Sequence, residues 1–272
     1  MRNLLFIFPV VMLFVFGCAT PEAVVTSREV VDEFTIAGFS PGMTDRMEFH
    51  ENSGFYYKLE RDRDNLYLLL ATSDLVLQRK IIYFGLTIWT DRTGNHNKNQ
   101  GFRFPVAGQA RPLYLFGPEA QTETDFNILL NRAGEIDLIG IYGSSVRTVK
   151  RRDSRIRVDA SIQDDFLVYK AVVPFGLLKH GFNPEADNGK MSLGIETGSL
   201  EASSQERRAR DFDERRPGGG IRQPGGMTGR MPGQAHGRMP VPEQAPEQRS
   251  DMNLLSRPTR LWVDLSFNTG SL

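Results

Sequence analysis

The chain reads as an all-β protein, an antiparallel β-sandwich of jelly-roll type, and three observations carry that reading. Short apolar or alternating segments recur along it, Gly, Asn, Asp and Pro punctuate them, and hardly any stretch shows a helical period. With 40% hydrophobic and 10% aromatic residues there is material for a core. A closed barrel is the structural alternative. A transmembrane barrel fits less well, because the segments are uneven and lack paired aromatic girdles.

Taken in order, Phe55 to Leu59 and Leu66 to Ala71 flank the polar turn Asp62-Arg63-Asp64-Asn65 and predict a hairpin. Ile81 to Thr90 predicts a strand, with Phe84, Leu86 and Ile88 on one face and Gly85, Thr87 and Trp89 on the other. Further strands are expected at Phe126 to Leu130, Ile136 to Tyr142, Ile156 to Ile162, Phe166 to Val173 and Met191 to Thr197. In the last, Leu261 to Phe267, four apolar residues alternate with Trp262, Asp264 and Ser266. Residues 201–257 break the pattern. A charged run from Glu206 to Arg216 leads into Pro217-Gly218-Gly219-Gly220 and Pro240-Val241-Pro242, with too little apolar surface to offset the entropy of ordering. A disordered insertion before the final strand is therefore predicted. Its length costs little, since loop closure grows only logarithmically.

The first residues concern location. Met1-Arg2-Asn3 gives a cationic start and Leu4 to Phe16 an apolar run, too short to span a bilayer comfortably but suited to a signal-peptide core. Val15-Phe16-Gly17-Cys18 resembles the lipobox of bacterial lipoproteins, in which cleavage precedes a cysteine that then carries a diacylglycerol. Cys18 is the chain's single cysteine, so it has no thiol to pair with even in an oxidising compartment. The expected organisation is a leader over 1–17, a lipidated tether over 18–27, a sandwich over 28–200, the insertion over 201–257 and a final strand within 258–272. Ala19, following the cysteine in place of an acidic residue, implies by the same resemblance the outer membrane of the cell envelope. With 33 basic and 33 acidic side chains there is no electrostatic footprint for nucleic acid.

Four segments in a fixed order carry a second resemblance: Tyr57 to Leu68 with its Asp64-Asn65-Leu66-Tyr67, Gly85 to Gly94 ending in Asp91-Arg92-Thr93-Gly94, Gly101 to Pro105, and Val172-Val173-Pro174-Phe175. Together they are similar to the sandwich superfamily of family 9 carbohydrate-binding modules and DOMON domains. That resemblance implies a binding module, and its sugar binders clamp a ring between two tryptophans. This chain has Trp89 and Trp262, which are the candidate ligand-binding residues; both also fit a packing role at the rim of a sandwich.

Asp91 to Asn99 is rich in oxygen ligands, and Asp91 with Asn95 are the candidates for a structural calcium. The same composition also suits a solvated hairpin loop, because Asn and Gly favour turns. Beyond that calcium no cofactor is expected. The four histidines show no ligand spacing for haem, and Met227, Met231, His236 and Met239 suit cuprous copper only as well as they suit low-complexity sequence. No nucleophile elbow or phosphate-cradling glycine loop is present, so no enzyme is predicted. The expected function is a membrane-anchored, non-catalytic module for carbohydrate or another small ligand. The alternative is a structural or assembly lipoprotein that binds a protein partner through a sheet edge or the insertion.

Overall fold

The computed structural model describes residues 22–27, 41–107, 122–143, 145–178, 190–200 and 253–267, with 22–27, 41 and 190 as backbone. Along them run β1 (Glu22–Ser27), β2 (Glu48–His50), β3 (Phe55–Arg61), β4 (Asn65–Thr72), α1 (Leu75–Phe84), β5 (Leu86–Asp91) and β6 (Gly101–Phe104). Then come α2 (Glu123–Arg132), β7 (Glu135–Ile139), β8 (Val146–Lys150), β9 (Arg157–Gln163), β10 (Phe166–Pro174), β11 (Lys190–Thr197) and β12 (Arg260–Phe267).

The protein is an all-β sandwich of two sheets. A front sheet has the order β8-β7-β6-β5-β11-β12, and a back sheet has β3-β4-β10-β9 with β2 added to β3. Strand β1 joins them, pairing in parallel with Asp264 to Phe267 of β12 through Glu22 to Val25, and with Glu60 and Arg61 of β3 through Thr26 and Ser27. Every other pairing is antiparallel. Period-two alternation puts Leu261, Val263, Leu265 and Phe267 of β12, Phe55, Tyr57 and Leu59 of β3, and Leu66, Leu68 and Leu70 of β4 into one contiguous core. Leu193, Val263, Ile88 and Leu66 reach zero exposure, and burying such a side chain contributes about 1.5–3 kcal/mol.

Four expectations are corrected. Ile81 to Phe84 is the last turn of α1, not the start of a strand. Asp74 caps that helix by accepting from the amides of Val76 (2.7 Å) and Leu77 (3.1 Å), Leu77, Ile81 and Phe84 recur at helical spacing, and Gly85 ends it at φ 84°. Phe126 to Leu130 lies within α2, which opens on a capping box between Thr122 and Asp125 and buries Phe126 and Leu130 one turn apart. Glu22 to Ser27, expected as tether, is the strand that joins the sheets, so the sandwich begins before residue 28. Residues 253–256, expected within the insertion, form a helical turn whose Leu255 is buried in the core. The remainder of the predicted insertion, 201–252, and the leader lie outside the described residues.

Two features place the functional surfaces. Helix α1 leaves the end of β4 in the back sheet and arrives at the start of β5 in the front sheet, so it closes one end of the sandwich, here called the base. Lys80 Nζ of this helix donates to Thr259 Oγ1 just ahead of β12 (3.0 Å). Helix α2 guards an edge: the Asn127 side-chain amide donates to the Ile162 carbonyl (3.0 Å) and accepts from the Ile162 amide (2.7 Å), standing in for the neighbour that β9 lacks.

Candidate functional site

The outer face of the front sheet collects polar and aromatic residues because β5, β11 and β12 each alternate apolar-in with polar-out. Register then decides which of them meet. Trp89 of β5 faces Gly194 of β11, and Gly194 faces Trp262 of β12, so both tryptophans stand on one face, in one row, either side of a glycine. The absence of a side chain at Gly194 is what the row requires. A Cβ there would sit 2.8–2.9 Å from Cη2, Cζ2 and Cζ3 of Trp262, and such equal distances mean that the indole lies face-down on the glycine. Trp89 makes the matching approach to Gly101 of β6, where a Cβ would lie 3.0 Å from its Cε3.

Glu196 lies beside this row, on the strand between the two tryptophans. It accepts from Trp89 Nε1 (2.9 Å), Lys98 Nζ (2.7 Å) and Arg260 Nε (2.6 Å), with its side chain 15% exposed. Burial pushes its pKa up, but the hydrogen bonds from Lys98, Arg260 and Trp89 and the charge of Lys98 outweigh burial and hold the pKa below the usual glutamate value. One step further along the face, Asp264 accepts from Ser192 Oγ (2.6 Å) and lies 2.9 Å from His96 Nε2, and it too is held below the usual aspartate value, these bonds overcoming desolvation.

The β5–β6 loop supplies His96 and Lys98. Asp91 fixes its shape: one carboxylate oxygen accepts from the Thr93 amide (2.9 Å) and hydroxyl (2.8 Å), the other from the amides of Asn95 (3.0 Å) and Asn97 (2.9 Å). Desolvation raises the Asp91 pKa, and these bonds more than reverse it. His96, at φ 60°, is turned back onto the face, where its imidazole stacks on the Trp262 indole with centroids 4.8 Å apart and planes 17° from parallel. Trp262 is thus held between Gly194 and His96.

Trp89 and Trp262 are brought together, but as neighbours on a flat platform rather than as facing walls of a clamp. Asp91 and Asn95 also meet, with polarity unsuited to the expected calcium: Asn95 offers Asp91 a backbone N–H, and its side-chain amide donates to Thr93 Oγ1 (3.0 Å). Among the described residues no three His, Cys, Asp or Glu side chains gather as a metal site. Cys18, Met227, Met231, His236 and Met239 lie outside the described residues. Glu196, Asp264, His96, Lys98 and Gly194 were not among the expected site residues. Alternation assigns each strand residue a face, but only register assigns it a neighbour.

No profile of a known protein family matches this chain, and no curated protein matches it. Among solved structures, it is similar to a family 9 carbohydrate-binding module from Caldicellulosiruptor kristjanssonii in complex with glucose, at 12% identity and a TM-score of 0.33, over 65% of this chain and 77% of that one. The same module in complex with cellotriose matches at 12% identity and a TM-score of 0.33, over 65% of this chain and 75% of that one.

Proposed function

We propose that this protein is a non-catalytic carbohydrate-binding module of the cell envelope, tethered through a lipid on Cys18 and taking its ligand on the outer face of the front sheet. The observation that carries the reading is the row Trp262-Gly194-Trp89, a half-buried aromatic platform bordered by Glu196, Arg260, Lys98 and Asp264. A sugar ring has an apolar C–H face for the Trp89 indole and for the His96 imidazole that covers Trp262, and hydroxyls for the carboxylates and cations around them.

The same groups support a non-catalytic reading of this face as far as glycoside hydrolysis is concerned. A glycosidase needs one acid that keeps its proton near neutral pH. Both Glu196 and Asp264 are held in the ionised form, so neither is a proton donor there.

The test is a glycan array on the soluble form starting at Ala19, followed by titration calorimetry with the oligosaccharide retained. Trp89→Ala and Trp262→Ala should each abolish binding and leave cooperative unfolding intact. If no glycan alters indole fluorescence and both substitutions destabilise by the ~3–5 kcal/mol of a lost core aromatic, the rings are packing residues and the reading fails.

A further inference from the structure

We infer that the base of the sandwich, at the apolar corner formed by Phe49 of β2 and Leu75 of α1, rests on the lipid surface to which Cys18 is tethered; this builds on the lipidation proposed above. Phe49 is 50% exposed and Leu75 59% exposed, and they line a shallow depression of about 460 Å3 floored by Gly54 and Tyr56. Phe49 packs against Tyr56 with centroids 4.5 Å apart and ring planes tilted by 36°. Leu254, 52% exposed, lies in the helical turn just ahead of β12 and so belongs to the same end. Exposed large apolar residues gathered at one end of a soluble fold mark a contact surface.

The tether selects the occupant. Strand β1 runs parallel to β3 and β12, so its first residue points toward the end where those strands begin, which is the base. Glu22 is level with Asp264, four residues above the first residue of β12, Arg260. Four residues also separate Cys18 from Glu22, a reach of at most about 14 Å. An acyl group on Cys18 therefore leaves no slack for a spacer between sandwich and bilayer, and this corner offers exposed apolar side chains at that end. Asp74 at the rim of the depression and Glu48 and Glu51 beside Phe49 favour a zwitterionic surface over an anionic one. The lipid supplies the binding energy, and the corner sets the orientation. In that orientation the tryptophan platform stands across the membrane plane and faces sideways.

The experiment uses the mature acylated protein in phosphatidylethanolamine/phosphatidylcholine vesicles. Since Cys18 is the chain's one cysteine and its thiol is consumed by the lipid, Leu75→Cys and Arg63→Cys each give a single labelling site; Arg63 is exposed in the β3–β4 turn at the opposite end. A polarity-sensitive dye at Leu75 should shift to the blue and be quenched several-fold more by lipid-borne nitroxides than the same dye at Arg63. Equal quenching at both sites, or none at Leu75, with the acyl mass present on Cys18 overturns the orientation and leaves the lipidation standing. A mature protein without acyl mass at Cys18 overturns both.

Discussion

At the scale of single residues, the outer face of the front sheet is built from groups that hold one another rather than from groups left free. Glu196 is the centre of this arrangement, because it ties the Trp89 indole, the loop through Lys98 and the start of β12 through Arg260. Glu196, Asp91 and Asp264 all have pKa values held below their ordinary ones in the folded protein. A carboxylate with a depressed folded-state pKa contributes stability that is fully present above its unfolded-state pKa and is lost as pH falls through the folded one. With ordinary values of 4.5 for Glu196 and 3.8 for the two aspartates, that loss begins below about 4.5. The melting midpoint should therefore drop as pH falls below about 4.5, and Glu196→Gln should lower the midpoint at neutral pH while making that acid decline shallower. Calorimetric scans of both proteins across the range check this; an unchanged slope in the variant would mean that Glu196 is not the group responsible.

At the scale of elements, most strands were legible in the sequence, while the helices and the strands β1, β2 and β8 were not, and the reason is physical. A half-buried strand writes its burial directly as period two, which is why Leu261 to Phe267 and Phe55 to Leu59 could be read from the residues alone. Helix α1 is buried on nearly every side, including Gln78 and Lys80, so its apolar residues form a block that mimics a central strand. The better signals were at its ends, in the Asp74 cap and Gly85, and likewise in the Thr122 to Asp125 box of α2. What no strand pattern could provide was the register that sets Trp89 and Trp262 beside Gly194, or the return of His96 onto Trp262 from a loop. Edge protection is also a property of elements in contact. Asn127 on α2 satisfies both backbone groups of Ile162 on the edge strand β9, which argues against that edge as a docking point for a partner strand. Asn127→Ala should cost about 1–2 kcal/mol, as expected for two neutral hydrogen bonds, and should promote self-association. Denaturant melts and light scattering together read both effects, and a monomeric variant of unchanged stability would show that the amide does not guard the edge.

At the scale of the whole molecule, the proposed binding face and the apolar base are separate surfaces of one body, and the β11–β12 connection decides whether they are built independently of the chain between them. The two strands are hairpin partners at their open ends: the Thr197 amide donates to the Thr259 carbonyl (2.9 Å), and the Thr259 amide donates to Thr197 Oγ1 (2.9 Å). Leu200, packed against the core, and Leu255, buried within it, extend this closure past the ends of the strands. Chain leaving at Leu200 and returning at Leu255 is therefore already brought together by the fold, and its length enters stability through loop closure, about 0.6 kcal/mol per doubling. Replacing Glu206 to Arg249 with a short Gly/Ser linker should accordingly leave the melting midpoint nearly unchanged, and Leu255→Ala within that shortened chain should cost about 2–5 kcal/mol. Both follow from thermal melts of the two variants against the full chain. Loss of cooperative unfolding on shortening alone would mean that residues between Glu206 and Arg249 contribute to the core, and a silent Leu255→Ala would mean that the sandwich closes without the turn that precedes β12.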